Sequence, residues 1–503
     1  MTPETPDGPF PELDRMDLAS LERLVERGVT EIARRRHAGN LPASDAARPP
    51  TGPEDAIPYA GRVFGPEEVL AATRSTLDFW LTLGEEGEQF ERELARTLGV
   101  RRSILTNSGS SANLLAISAL TSPLADEERR LRPGDEVITC AAGFPTTVAP
   151  IVQTGCVPVF LDADPVTGNM RTELLEEALS GRTRAVMLAH SLGNPFDLAR
   201  IVRFCRDNDL WLIEDNCDAL GSTYAMPSAA AQDLGLSDMT GSATHVERPT
   251  GTWGDLSTQS FYPPHHISLG EGGAVNIVSS IRLRRPIESF RDWGRDCWCP
   301  SGQDDTCGKR FEWQLGGLPE GYDHKYTYSH LGYNLKPLDI QAAIGRVQLG
   351  RLDAFSAARQ QNWRTLRAGL DDRQDWYEFA LPTHATGWTP DGFAWDASGN
   401  RSDPSWFGFM LRVRPGAPFT ASDLARHLDR HRIGNRRLFG GNLVRQPAFV
   451  QLTEDRPDSY RVVGDLTGSD TLMHQAVFVG TYPGMTASML ERMVDVLHQV
   501  PAS

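Results

Sequence analysis

Three consecutive stretches constrain the fold more than anything else in the chain: RAVMLAH (184–190), DLARIVRFCRDND (197–209) and LWLIEDN (210–216). The first and third are short apolar runs, and the second carries apolar residues at helical spacing. Strand, helix and strand in so few residues argue for parallel strands joined by a crossover helix and buried on both faces. The alternation recurs. EEGEQFERELARTLGV (85–100) reads as an amphipathic helix ending near a glycine, and RSILTN (102–107) as a strand. SSANLLAISALTS (110–122) reads as a helix, and DEVITC (135–140) and VPVFLDAD (157–164) as buried strands. We therefore expect an α/β fold, a mostly parallel sheet flanked by helices, with ligands at the carboxyl ends of its strands.

Near residue 360 the pattern changes. SWFGFMLRVRP (405–415) reads as a strand, TASDLARHLDRHRIG (420–434) as a capped helix and MLERMVDVLHQV (489–500) as a closing helix. We expect a large domain over 58–360 and a smaller C-terminal α+β domain over 361–503. Residues 1–57, polar and Pro-rich around a helical stretch, form an N-terminal extension. Residues 222–255, rich in Ala, Ser, Thr and Gly, read as a surface insertion. No apolar run approaches the roughly 18 residues of a membrane span. The acidic, Pro-rich N-terminus has neither the basic nor the apolar region of an export signal, so a cytoplasmic enzyme is expected. The net charge of −16 disfavours nucleic acid and is compatible with basic electron-transfer partners. An odd cysteine count, seven, argues against a disulfide framework.

Three motifs carry chemistry. TNSGSSANLL (106–115) follows a strand and opens a helix. Gly109 allows close backbone approach and Ser110 adds a hydroxyl, so the stretch is either a phosphate site or an ordinary capped helix. In LWLIEDNCDALGS (210–222), Asp215 ends a buried strand, where a carboxylate either pairs with a protonated pyridine nitrogen or caps the next turn. DWGRDCWCPSGQDDTCGKRF (292–311) spaces Cys297, Cys299 and Cys307 as Cys-x-Cys-x7-Cys. That suggests a metal, with structural zinc and an iron–sulfur cluster both open on spacing.

The order GSS, GFPTT, EDNCDALGS, SFYPPHH…GEGG, GYNLKPLDIQAAIG resembles the fold type I pyridoxal phosphate (PLP) family of nucleotide-sugar aminotransferases, over roughly residues 58–500. The resemblance implies a homodimer with active sites at the subunit interface. It places Gly109, Ser110 and Ser260 at the cofactor phosphate, Phe144 on the ring and Asp215 at its nitrogen. Asn334 would reach the phosphate from the neighbouring subunit. His265, in SFYPPHHISLGEGGAV (260–275), falls where the family carries its imine lysine. The chain has only Lys309, Lys325 and Lys336, so no lysine precedes position 309. Imidazole cannot hold PLP as a stable imine, but it shuttles protons well near neutrality. The cofactor is then expected in its amine form, pyridoxamine phosphate (PMP). That form condenses with a ketone and favours loss of a hydroxyl one carbon away, with Asp218 assisting.

The cysteine spacing, with RDWGRDCWC, GYDHKYTYSHLGYNL and DPSWFGF, narrows the resemblance to PMP-dependent 4-keto-6-deoxysugar 3-dehydratases that carry a [2Fe–2S] cluster. That branch implies Cys217 as the fourth ligand beside Cys297, Cys299 and Cys307. It also implies Tyr262 in the site and Arg436 at the diphosphate of a nucleotide-diphospho-4-keto-6-deoxyhexose. Its electrons would come from an NAD(P)H-dependent iron–sulfur flavoprotein reductase, or from a ferredoxin and its reductase. Two rivals stand beside this reading: a sugar aminotransferase, which needs a lysine imine, and a cluster-free PMP 3-dehydratase, which needs no reductase.

Overall fold

A computed structural model describes residues 12–40, 51–236 and 244–502. Its centre is an eight-stranded sheet in the order Arg102–Thr106, Gly273–Ile277, Leu256–Ser260, Trp211–Asp215, Thr183–Ala189, Glu136–Cys140, Val157–Leu161, Arg461–Val462. Gly273–Ile277 runs antiparallel to both its neighbours, and the other pairings are parallel. The expected α/β architecture is what the chain adopts. Alternation along each strand explains why. Ala185, Met187, Trp211 and Ile213 join one core with helix Gly109–Leu120, while Val186, Leu188 and Leu212 join another with helix Leu198–Asp207. A sheet covered on both faces needs apolar side chains at successive positions, and these runs supply them.

A second, antiparallel sheet orders Tyr377–Phe379, Gly408–Val413, Ala476–Gly480 and Asn435–Arg437. The boundary expected at 360/361 falls within one continuous helix, Leu352–Gly369. Strand Arg461–Val462, from the expected C-terminal domain, returns to the large sheet beside Val157–Leu161. In the expected N-terminal extension, Leu18–Arg36 is a helix capped by Asp17, which accepts from the Ser20 amide at 2.7 Å.

The stretch 222–255 is less superficial than its composition suggests. Residues 237–243 lie outside the described residues, but the flanks form strands Thr223–Pro227 and His245–Pro249, paired in a sheet with Arg401–Asp403. Tyr224, Met226, Val246 and Trp253 are buried. The small-residue count hid an alternating strand whose apolar side packs inward. Among the described residues, no helix is long and apolar enough to cross a membrane.

Candidate active site

Seven of the eight strands point the same way, so their carboxyl ends meet on one side of the sheet. A cavity of about 630 Å³ opens there, within the roughly 300–1,000 Å³ typical of ligand sites. It is lined by Gly109, Ser110, Phe144, Asp215, Cys217, Asp218, Ser260, Tyr262, His265 and Arg436, among others. The cavity thus gathers every expected site residue except Asn334, Cys297, Cys299 and Cys307.

At one end, helix Gly109–Leu120 starts from Ser108, whose hydroxyl accepts from the Ser111 amide at 3.1 Å. The amides of its first turn have no intrahelical partner and suit an anion. Gly109 is required by close approach: a Cβ there would sit 2.5 Å from the Ser260 Cβ and 3.0 Å from the Cys217 Sγ.

Asp215 is held by residues that the motifs did not point to. Its Oδ2 accepts from Asn113 Nδ2 at 2.8 Å and Thr147 Oγ1 at 2.7 Å, and its Oδ1 from the Cys217 amide at 3.2 Å. Thr258 Oγ1 donates to Asn113 Oδ1 at 2.6 Å and orients that amide. The donors at Asp215 come from two helices, a strand and the turn after its own strand, so the carboxylate is aimed before a ligand arrives. Asn113 lies one helical turn beyond Gly109, a spacing that could have revealed it. Phe144, half exposed, caps helix Pro145–Gln153 and meets Phe439 edge-on.

The two histidines of the 260–275 loop separate sharply. His265 lines the cavity, with Nε2 3.4 Å from Asp218 Oδ1 and Nδ1 3.2 Å from the Tyr262 carbonyl. A carbonyl only accepts, so Nδ1 carries a hydrogen and Nε2 is left to gain or lose a proton. Burial pushes the Asp218 carboxyl above its usual range, and His265 pulls it partly back. His266 instead faces the core and donates through Nε2 to the Ser405 carbonyl at 2.7 Å. Burial, then the charge of Arg359, holds its ring well below the ordinary value. Of the pair, His265 is the one placed for chemistry.

At the other end, the Arg436 guanidinium lies 4.2 Å over the Tyr59 ring, and both residues line the cavity. Asn334 lies outside it, exposed and bridged to Asp292.

The residues fit PMP: a phosphate-sized helix start beneath a required glycine, a clamped carboxylate, an aromatic wall and a histidine in place of lysine. The cysteines do not fit a four-thiolate cluster as placed. Cys297, Cys299 and Cys307 line a separate pocket of about 10 Å³ with Asp305, Arg310, His324 and Lys325. That is room for roughly one water molecule. Cys217 is in the main cavity, and no group of three or more metal-binding side chains is gathered among the described residues. The cysteines are spaced along the chain as a motif, but among the described residues Cys217 and the three loop cysteines are not gathered into one group.

The sequence pattern of the DegT/DnrJ/EryC1/StrS aminotransferase family matches residues 65–498. The lipopolysaccharide biosynthesis protein RfbH of Salmonella typhimurium is 46% identical over 439 residues, 87% of this chain and 90% of that protein. The dTDP-4-dehydro-2,6-dideoxy-D-glucose 3-dehydratase of Saccharopolyspora spinosa is 46% identical over 443 residues, 88% and 86% of the two chains. Among solved structures, the E. coli GDP-4-keto-6-deoxy-D-mannose-3-dehydratase with bound hydrated PLP superposes with a TM-score of 0.70 at 24% identity, covering 88% of this chain and 99% of that one.

Proposed function

The chain belongs to the DegT/DnrJ/EryC1/StrS aminotransferase family, and from that membership we propose that it is a PMP-dependent dehydratase acting at C3 of a nucleotide-diphospho-4-keto-6-deoxyhexose. One observation carries the reading: the cavity holds a histidine, His265, 3.4 Å from Asp218, and no lysine lines it. A transaminase of this family without an imine lysine has lost its covalent hold on the cofactor and its usual proton shuttle. His265 restores the shuttle alone. The names of the two relatives at 46% identity support the substrate class: one is a 3-dehydratase of a 4-keto-deoxysugar nucleotide and the other serves lipopolysaccharide biosynthesis.

When bound, PMP would supply an amine that condenses with a ketone and a ring that stores electrons. The chain's residues do the rest. Gly109, Ser110 and Ser260 would hold the phosphate, Phe144 would cover the ring, and Asp215 would pair with its nitrogen. Asp215 serves because Asn113, Thr147 and Thr258 leave its carboxylate one orientation. His265 Nε2 would take and return the proton at C4′, and Asp218 would stabilise the charged imidazole. Tyr262 closes the wall beside them. Arg436, backed by Tyr59, would face the diphosphate. Asn334 would act in the neighbouring subunit of a homodimer.

The reading extends to a [2Fe–2S] centre and an external reductase. The Cys-x-Cys-x7-Cys spacing, with Cys217 two residues from Asp215, supports it. It requires Cys217 and the 297–307 loop to come together. Their separation favours a second reading, a cluster-free dehydratase that releases its product without reduction. The test for the shared claim is incubation with PMP and a 4-keto-6-deoxyhexose nucleotide: loss of the C3 hydroxyl supports it, whereas glutamate-dependent formation of an amino sugar overturns it. Iron and sulfide analysis after anaerobic purification separates the two readings.

A further inference from the structure

Arg359 is 2% exposed, in the middle of helix Leu352–Gly369. Among the described residues it forms no ion pair. Its guanidinium instead ends on main-chain carbonyls. One nitrogen, Nη1, donates to Trp406 O at 3.2 Å and Phe407 O at 3.4 Å, and the other, Nη2, to His265 O at 3.1 Å and Pro264 O at 3.4 Å. A buried charge without a counter-ion is costly unless its donors are satisfied; both terminal nitrogens are, while Nε has no partner among the described residues. Burial brings this guanidinium down to about 10, and the carboxylate whose charge it feels is Asp218.

The four carbonyls belong to two segments distant in sequence. One is the loop bearing His265, and the other is 405–407, leading into the antiparallel sheet. Ser405 O also accepts from His266, and Ser405 N donates to Ser222 Oγ at 2.8 Å. Gly193 leaves room here, since a Cβ on it would be 2.2 Å from Ser405 O. The His265 loop is therefore fastened to the second sheet through main-chain atoms, and Arg359 is the cross-piece. A lysine could not serve both segments, because a planar fork is needed to reach carbonyls on two sides.

We propose that Arg359 is the positioning residue for His265, fixing the loop backbone so that Nε2 stays in the cavity against Asp218. The proposal rests on His265 as the C4′ base, and its experiment separates the two. Arg359→Lys keeps the charge and loses the fork. Amide hydrogen exchange of PMP-loaded protein is expected to rise at least about tenfold in residues 262–268 of this variant, with PMP affinity held within about threefold. Unchanged protection of that loop overturns the proposal, whatever the fate of the dehydratase reading.

Deuterium exchange at C4′ is then measured with the CDP-, dTDP- or GDP-linked 4-keto-6-deoxyhexose that wild-type protein turns over fastest. Arg359→Lys is expected to lose about 100-fold, but less than about threefold when placed on His265→Asn. Equal losses in the two backgrounds would show that Arg359 does not act through His265 and would overturn the proposal. Absence of C4′ exchange in wild-type protein defeats the dehydratase reading and leaves the loop measurement to decide Arg359. If Arg359→Lys does not fold, Arg359→Gln, a shorter planar donor, replaces it with the same expectations.

Discussion

The cysteine at position 217 and the three at 297–307 belong to regions built by different means. Cys217 sits at the end of a buried strand, where its amide donates to Asp215 and its sulfur lies against Gly109. The 297–307 loop has no helix or strand. Within it Asp304 pairs with Lys325, the Thr306 hydroxyl donates to the Cys299 sulfur at 3.1 Å, and the Arg285 guanidinium lies 3.9 Å over the Trp298 ring. The cavity is walled by strand ends and helix starts of the central sheet, whereas the loop is held by side-chain contacts. Ligand affinity reports on the cavity, and metal content reports on the loop.

The largest contrast should come from the loop. If the cluster reading holds, anaerobic reconstitution with iron and sulfide gives wild-type protein a visible absorption that Cys297→Ser loses completely, while both bind PMP equally. A wild-type spectrum in that variant would break the ligand assignment, and weakened PMP binding would break the separation of the two regions.

Next is Asp215→Ala, expected to lower dehydration about 10²–10³-fold, because the clamped carboxylate cannot be replaced by water in a prebuilt wall. Turnover within tenfold of wild type would show that Asp215 only closes a turn. Gly109→Ala should follow. Its Cβ would press on Ser260 at 2.5 Å, and overpacking of about 1–3 kcal/mol predicts PMP binding about 5–150-fold weaker by absorbance titration, with the iron content of the loop untouched.

The smallest effect concerns His384, which ties the 222–255 arm to the second half of the chain. Its Nδ1 is 3.0 Å from Asp396 and its Nε2 is 2.8 Å from the Tyr224 hydroxyl. Burial lowers this ring, but Asp197 and Asp396 outweigh it and leave the net shift upward. A raised folded value makes the proton stabilising. The contribution is full below the unfolded value, about 6.5, and is lost as pH rises through the folded value. The Tm deficit of His384→Gln, roughly 1–3 °C, should therefore be present near pH 6 and shrink at alkaline pH. A deficit that grows with pH would contradict this sign.

Much of the cavity was legible because its parts are local. Gly109, Asp215 and Ser260 each lie where a strand meets its loop, and strand ends announce themselves by apolar runs that stop at polar residues. What was not legible depends on residues far apart. His265 is legible by its place at the lysine position, but what turns His266 into the core, Ser405 some 140 positions away, and what holds the loop, Arg359 some 95 away, are not. The clamp on Asp215 needs Thr147 and Thr258 from two other elements. Tyr224 is buried although its stretch looks like a surface segment, because composition counts residues and burial depends on their alternation. The four cysteines were readable as a motif along the chain, but no spacing states whether Cys217 meets the loop.

On the proposed reading, His265 does a lysine's proton work without its covalent bond. Loading wild-type protein and His265→Asn with PMP and a 4-keto-6-deoxyhexose nucleotide in deuterated water tests it most directly. Deuterium is expected at C4′ in wild type, with incorporation about 10²–10⁴-fold slower in the variant and equal PMP affinity in both. Incorporation at the wild-type rate in His265→Asn would contradict it.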